Sequence, residues 1–251
     1  MKVLVNGQLI EYKDEGKGKT IVLLHGWGSN LGSFDELTRF LTKSYRVVRL
    51  DFPGFGSSPK PSDEWNVDSY AQLTAAFLKK LDVTSVYAIM GHSFGGRVII
   101  KAISKNYINP EKVVLFGAAG IKPKQQIKKS VYKLIAKTGK AVTSLPGLKA
   151  LQPKLRRRLY ESAGATDYLN AEAMRPIFLN TINEDLIALL ADISQPTLMV
   201  WGENDHEVPV SDAQTMHGLI KHSQLIVVPG AGHYVFIDDP TAVQNEVRNF
   251  L

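Results

Sequence analysis

The chain is 251 residues long, with 44% apolar and 22% charged residues, a composition that suits one well-packed domain and excludes disordered, collagen-like and fibrous classes. Thirty Lys and Arg against 24 Asp and Glu leave a formal charge of +6, and cysteine is absent. Disulfides, thiolate metal sites and a cysteine nucleophile are therefore all excluded.

In chain order, the first dozen residues read as a β-hairpin, because Asn6-Gly7 between short alternating runs favours a two-residue turn. The amino terminus lacks the continuous apolar stretch of a signal peptide, and no run approaches the roughly 20 apolar residues of a membrane span. A cytoplasmic location is the expectation.

Thr20–Leu24 is a continuous apolar run, as in a strand buried on both faces. A helix follows, with Ser33 as its expected cap and Phe34, Leu37, Phe40 and Leu41 on one face. Further strands are expected at Tyr45–Leu50, Ser85–Met90 and Val113–Phe116, and helices at Val67–Leu81 and Phe94–Tyr107. Alternating buried strands and amphipathic helices predict a mostly parallel sheet covered on both faces.

After Gly120 the rhythm breaks. Twelve of the 30 basic residues lie in 121–160, which holds no acidic residue, so the rest of the chain is net −6. Ile127, Val131, Leu134, Ile135 and Val142 fall roughly on one helical face, with Lys128, Lys129, Lys133, Lys137 and Lys140 mainly elsewhere. This basic amphipathic pattern fits a lid, a contact for an anionic substrate or surface, or a docking face for an acidic partner. Alternation resumes with Thr197–Trp201, Val210–Ile220, Gln224–Val228 and Thr241–Leu251. The expected organisation is one α/β core, 1–120 plus 186–251, interrupted by a helical insertion at 121–185.

The chemistry concentrates in three loops. Gly91-His92-Ser93-Phe94-Gly95 matches G-x-S-x-G where a predicted strand meets a predicted helix. A serine held there on a sharp turn exposes its hydroxyl at the carboxyl edge of the sheet, with a helix amino terminus behind it. A hydroxyl is a weak nucleophile alone and needs a base and an orienting acid. Asp205 follows the strand ending in Trp201, and His233 follows the strand ending in Val228, so both leave the same sheet edge. The order Ser93, Asp205, His233 is the order that this arrangement takes. Glu203 and Glu207 are the nearer competitors for the acid.

These motifs, with HGWGS at 25–29, DFPGFGSS at 51–58, GENDHEVP at 202–209 and GAGHYVF at 230–236, resemble the α/β-hydrolase superfamily over nearly the whole chain. The resemblance implies an α/β-hydrolase fold with a cap after the sixth strand. It also implies a catalytic triad of Ser93, Asp205 and His233, with the backbone N–H groups of Trp27 and Phe94 as oxyanion donors. The alternative acid position after the sixth strand reads Gly117-Ala118-Ala119-Gly120 and offers no carboxylate. His25, Gly26, His92 and Tyr234 are expected beside the substrate pocket. In the family, the residue at His25 braces the oxyanion loop, and the DFPGFGSS stretch reads as structural.

The expected activity is hydrolysis of a small-molecule carboxylic ester through an acyl-enzyme. Cleavage of carbon–carbon bonds in ring-fission products, thioester or lactone hydrolysis, and a ligand receptor on a hydrolase fold are the alternatives. The carbon–carbon hydrolases typically carry Asn before the serine and Trp after the catalytic histidine, where this chain has His92 and Tyr234. Gly16-Lys17-Gly18-Lys19-Thr20 lacks the first glycine of a phosphate loop, no His pair has metal-ligand spacing, and no cofactor is implied. Nucleic acid is not an expected partner, since net charge alone would support it.

Overall fold

The computed structural model describes residues 1–62, 64–122 and 172–251. Eight strands are ordered β1-β2-β4-β3-β5-β6-β7-β8 in one sheet: β1 Lys2–Val5, β2 Gln8–Gly16, β3 Thr20–Leu24, β4 Arg46–Leu50, β5 Ala88–His92, β6 Lys112–Phe116, β7 Thr197–Gly202 and β8 Ser223–Val228. The first two are antiparallel, and β3 to β8 pair in parallel. Asn6 and Gly7 have φ of 47° and 79° and close the hairpin with Val5 opposite Gln8, as the Asn-Gly turn requires.

The buried strands alternate faces. Val22 and Leu24 join one core with Phe77, Leu78 and Ile99, from helices α2 (Val67–Lys80) and α3 (Phe94–Ser104). Ile21 and Leu23 join the other with Leu37 and Leu41 of α1 (Asp35–Leu41) and Val243 and Val247 of α7 (Pro240–Phe250). Helices α4 (Arg175–Asn183), α5 (Val210–Leu219) and the single turn α6 (Val235–Asp238) complete the described helices. No helix among the described residues is long and apolar enough to cross a membrane.

Strand β3 lies between β4 and β5, so the chain leaves it in opposite directions on its two sides. Loops diverge at such a switch point and leave a crevice at the strand carboxyl ends. The loop after β3 and the turn after β5 border that crevice.

Three expectations shift. Ser33 is not a cap: Asn30 accepts the Gly32 N–H and starts a 3₁₀ turn over Leu31–Phe34, and α1 begins only at Asp35. The fifth strand is Ala88–His92 rather than Ser85–Met90, because pairing with β3 begins at Ala88 opposite Ile21. Helix α3 ends at Ser104, and Asn106 at φ 56° terminates it before Tyr107. Of the expected cap at 121–185, residues 123–171 lie outside the described residues, as do the basic side chains there.

Candidate active site

Ser93 sits between β5 and α3 with φ 50° and ψ −109°, a conformation that costs a non-glycine residue about 1–3 kcal/mol. Neighbouring backbone pins it there. Its N–H donates to the Phe116 carbonyl at 3.1 Å, and its own carbonyl accepts the Gly96 and Ala119 N–H groups at 3.0 Å each. The turn is this tight because Gly95 has no side chain: a Cβ there would collide with the Leu24 carbonyl.

Asp205 and His233 are brought together by two loops on the same sheet edge. Asp205 Oδ2 accepts His233 Nδ1–H at 2.8 Å, while Oδ1 accepts the N–H groups of Glu207 and Val208 at 2.9 and 2.8 Å. The aspartate side chain is fully buried, so both oxygens keep one orientation. Asn204 N–H donates to the Ala231 carbonyl at 2.8 Å and ties the acid loop to the histidine loop. Donation from Nδ1 to a carboxylate leaves Nε2 of the neutral ring as the acceptor, the atom a general base needs.

The two competing glutamates are placed apart from that role. Glu203 accepts the Gly230 N–H at 3.0 Å and serves the loop, while Glu207 Oε2 lies 3.4 Å from His233 Nε2, the opposite nitrogen. Glu207 as a neighbour of His233 was missed by sequence reasoning. The signal was only its spacing, two residues beyond Asp205.

The loop after β3 carries Gly26 and Trp27. His25 donates from Nδ1 to the Gly26 carbonyl at 2.7 Å and accepts the Phe52 N–H at Nε2, 3.0 Å away. Both ring nitrogens are thus used and the ring is neutral; burial pushes its pKa down to about 4. The Ser29 N–H bonds the Gly26 carbonyl at 3.3 Å and folds 26–29 into a turn. Among the described residues, neither the Trp27 nor the Phe94 N–H has a backbone acceptor. Asp51 anchors the adjoining loop by accepting the Leu31 and Ser57 N–H groups at 2.7 and 2.8 Å.

His92 is buried beneath this edge. Its Nε2–H donates to the His233 carbonyl at 3.0 Å, its ring lies 4.6 Å from the His233 ring and 4.5 Å from that of Tyr234, and burial holds its pKa well below the usual 6.5. A Cβ on Gly26 would stand 2.7 Å from His92 Nδ1, so that glycine is what lets the loop close over the ring. His25 and His92 therefore stand behind the crevice, while Tyr234 is half-buried at its edge.

An apolar wall flanks Trp27. Its ring packs against Phe55, Phe94 and Phe178 at centroid distances of 4.8, 5.5 and 5.1 Å. Phe178 of α4 and Met174, which covers Gly54, belong to the stretch that re-enters the core, and no sequence motif marked either.

The chain matches the model of a family described as "Alpha/beta hydrolase family" over residues 21–246. It is 26% identical to a 2-hydroxy-6-oxo-6-(2'-aminophenyl)hexa-2,4-dienoic acid hydrolase of Metapseudomonas resinovorans, across 99% of this chain and 89% of that protein. It is 27% identical to a pimeloyl-[acyl-carrier protein] methyl ester esterase of Photobacterium profundum, across 96% and 97%. The solved structure of an esterase from Exiguobacterium antarcticum superposes with a TM-score of 0.78 at 25% identity, covering 99% of this chain and 98% of that one.

Proposed function

The chain belongs to the α/β-hydrolase family, and on that premise we propose that it is a serine hydrolase that cleaves carboxylic esters through an acyl-enzyme. The observation that carries this reading is the 2.8 Å Asp205–His233 bond at the sheet edge where Ser93 is held at φ 50°. Ser93 Oγ attacks the ester carbonyl carbon and its proton passes to His233 Nε2. Asp205 fixes the tautomer and stabilises the imidazolium. The carbonyl oxygen becomes an oxyanion facing the Trp27 and Phe94 N–H groups, each such donor contributing about 3 kcal/mol. As the tetrahedral carbon collapses, the C–O bond to the alcohol breaks and His233 returns the proton to the departing oxygen. Water then attacks the acyl-enzyme by the same route, giving the acid and free Ser93.

The esterase relatives support ester chemistry. The carbon–carbon hydrolase relative favours a second reading, with the same serine acting on a dienoic acid, but His92 and Tyr234 stand where such enzymes typically have Asn and Trp. The apolar wall of Trp27, Phe94 and Phe178 is assigned to the acyl side, and residues 121–185 to a cap.

Ser93→Ala tests the assignment. Turnover of 4-nitrophenyl acetate should fall by at least about 10³-fold while the circular dichroism spectrum and urea midpoint stay near the parent's. A Ser93→Ala protein with parent activity overturns it.

A further inference from the structure

We propose that Glu207 sets the charge selectivity of the site, disfavouring esters whose leaving alcohol carries a negative charge. The inference rests on the serine reading above. The Glu207 carboxylate lies 3.4 Å from His233 Nε2, with the side chain 57% exposed, so it stands on the solvent side of the histidine ring rather than in the core. The position is fixed from below, because the Glu207 N–H is held by Asp205 Oδ1 at 2.9 Å.

The side of the substrate that meets Glu207 follows from the chemistry. Nε2 must deliver a proton to the departing alcohol oxygen, so whatever neighbours Nε2 neighbours the leaving group. The acyl group is disposed the other way, toward Trp27. Against a neutral ring the Glu207 carboxylate meets a lone pair; once Nε2 carries the serine proton it meets a cation. The contact thus becomes favourable as the reaction proceeds, and it penalises a second anion near Nε2.

This differs from what the basic run at 121–160 would do. A diffuse positive field attracts an anion wherever its charge sits on the substrate. Glu207 distinguishes the alcohol end from the acyl end.

The test compares 3-acetoxybenzoate, its neutral methyl ester and 3-(trimethylammonio)phenyl acetate, with phenyl hemisuccinate as the ester charged on the acyl side. In the Glu207→Gln protein, the anionic-to-neutral ratio of kcat/KM should rise about five- to tenfold, the size of a like-charge contact a few ångströms away at a partly exposed site. The cationic-to-neutral ratio should fall, the hemisuccinate ratio should move less, and the difference in ratios between parent and variant should shrink as salt is added. Unmoved ratios in Glu207→Gln, with turnover lost in Ser93→Ala, overturn the assignment of Glu207 alone. Turnover that survives Ser93→Ala overturns the serine reading and this inference with it.

Discussion

His92 donates its Nε2–H to the main-chain carbonyl of His233, across 141 positions of sequence and 3.0 Å of space. The residue next to the proposed nucleophile thereby holds the backbone of the proposed base. Its ring stays neutral because burial opposes charge, and it lies against Gly26 of the loop after β3 on the Nδ1 side. Segments that leave β3, β5 and β8 meet on this one side chain, whose Nε2 is satisfied by the His233 carbonyl while its buried Nδ1 has no hydrogen-bond partner among the described residues.

Replacing His92 by Leu should remove that donor and let His233 drift. Displacements of about 1 Å can cost about 10²-fold in rate, so kcat should fall by one to two orders of magnitude while KM changes little. His92→Gln, whose amide nitrogen reaches about as far as Nε2, should recover part of kcat. Steady-state kinetics on a neutral aryl ester checks both; equal losses in Leu and Gln variants would assign His92 to packing alone.

The buried neutral histidines make stability depend on acid. In the unfolded chain His25 takes up a proton near pH 6.5, while in the folded chain it does so only near pH 4. Between those values the unfolded state binds more protons, so stability falls as pH falls, by about 1.4 kcal/mol per pH unit for each such histidine. His92 shifts in the same direction. Urea midpoints measured from pH 7.5 to 5 should therefore decline, and His25→Gln, which keeps an acceptor for the Phe52 N–H, should flatten part of the slope. A slope unchanged in that variant would place the sensitivity elsewhere.

The loops that carry Ser93, Asp205 and His233 were legible in the sequence because their constraints are local. A serine between glycines at a strand-to-helix junction, and an aspartate and a histidine each just past an apolar run, need only chain order to be recognised. What escaped it depends on contacts distant in sequence. Arg49 is one of two arginines in β4 and is buried, with its guanidinium bonded to Glu15, Asp35 and the Leu31 carbonyl, partners that lie 14 to 34 positions away in sequence. Glu207 becomes a neighbour of Nε2 only once the β7 and β8 loops are side by side. Ser33 lost its capping role to Asn30 because a 3₁₀ turn preceded the helix, and a helical hydrophobic pattern does not distinguish the two.

Arg97 of α3 joins two segments that lie far apart in sequence, at Ile121 and at Glu184. The buried guanidinium donates to the Ile121 and Glu184 carbonyls, at 3.4 Å and 2.7 Å. Burial lowers its pKa to about 10, so it remains charged at neutral pH. Alongside it, the Leu186 N–H bonds the Gly120 carbonyl at 2.9 Å, and Lys101 pairs with Glu184 at 2.5 Å. Arg97→Met keeps the length and apolar stem but orphans two carbonyls, at about 1–3 kcal/mol each, offset in part by no longer burying a charge. A net loss of about 1–3 kcal/mol in urea unfolding is expected. Because both bonds span the two segments, local opening there should grow more than global unfolding, so amide exchange at Leu186 should quicken while exchange in β3 and β5 tracks the global change. Leu186 exchange that rises only in step with β3 would show that the Leu186–Gly120 bond holds the segments without Arg97.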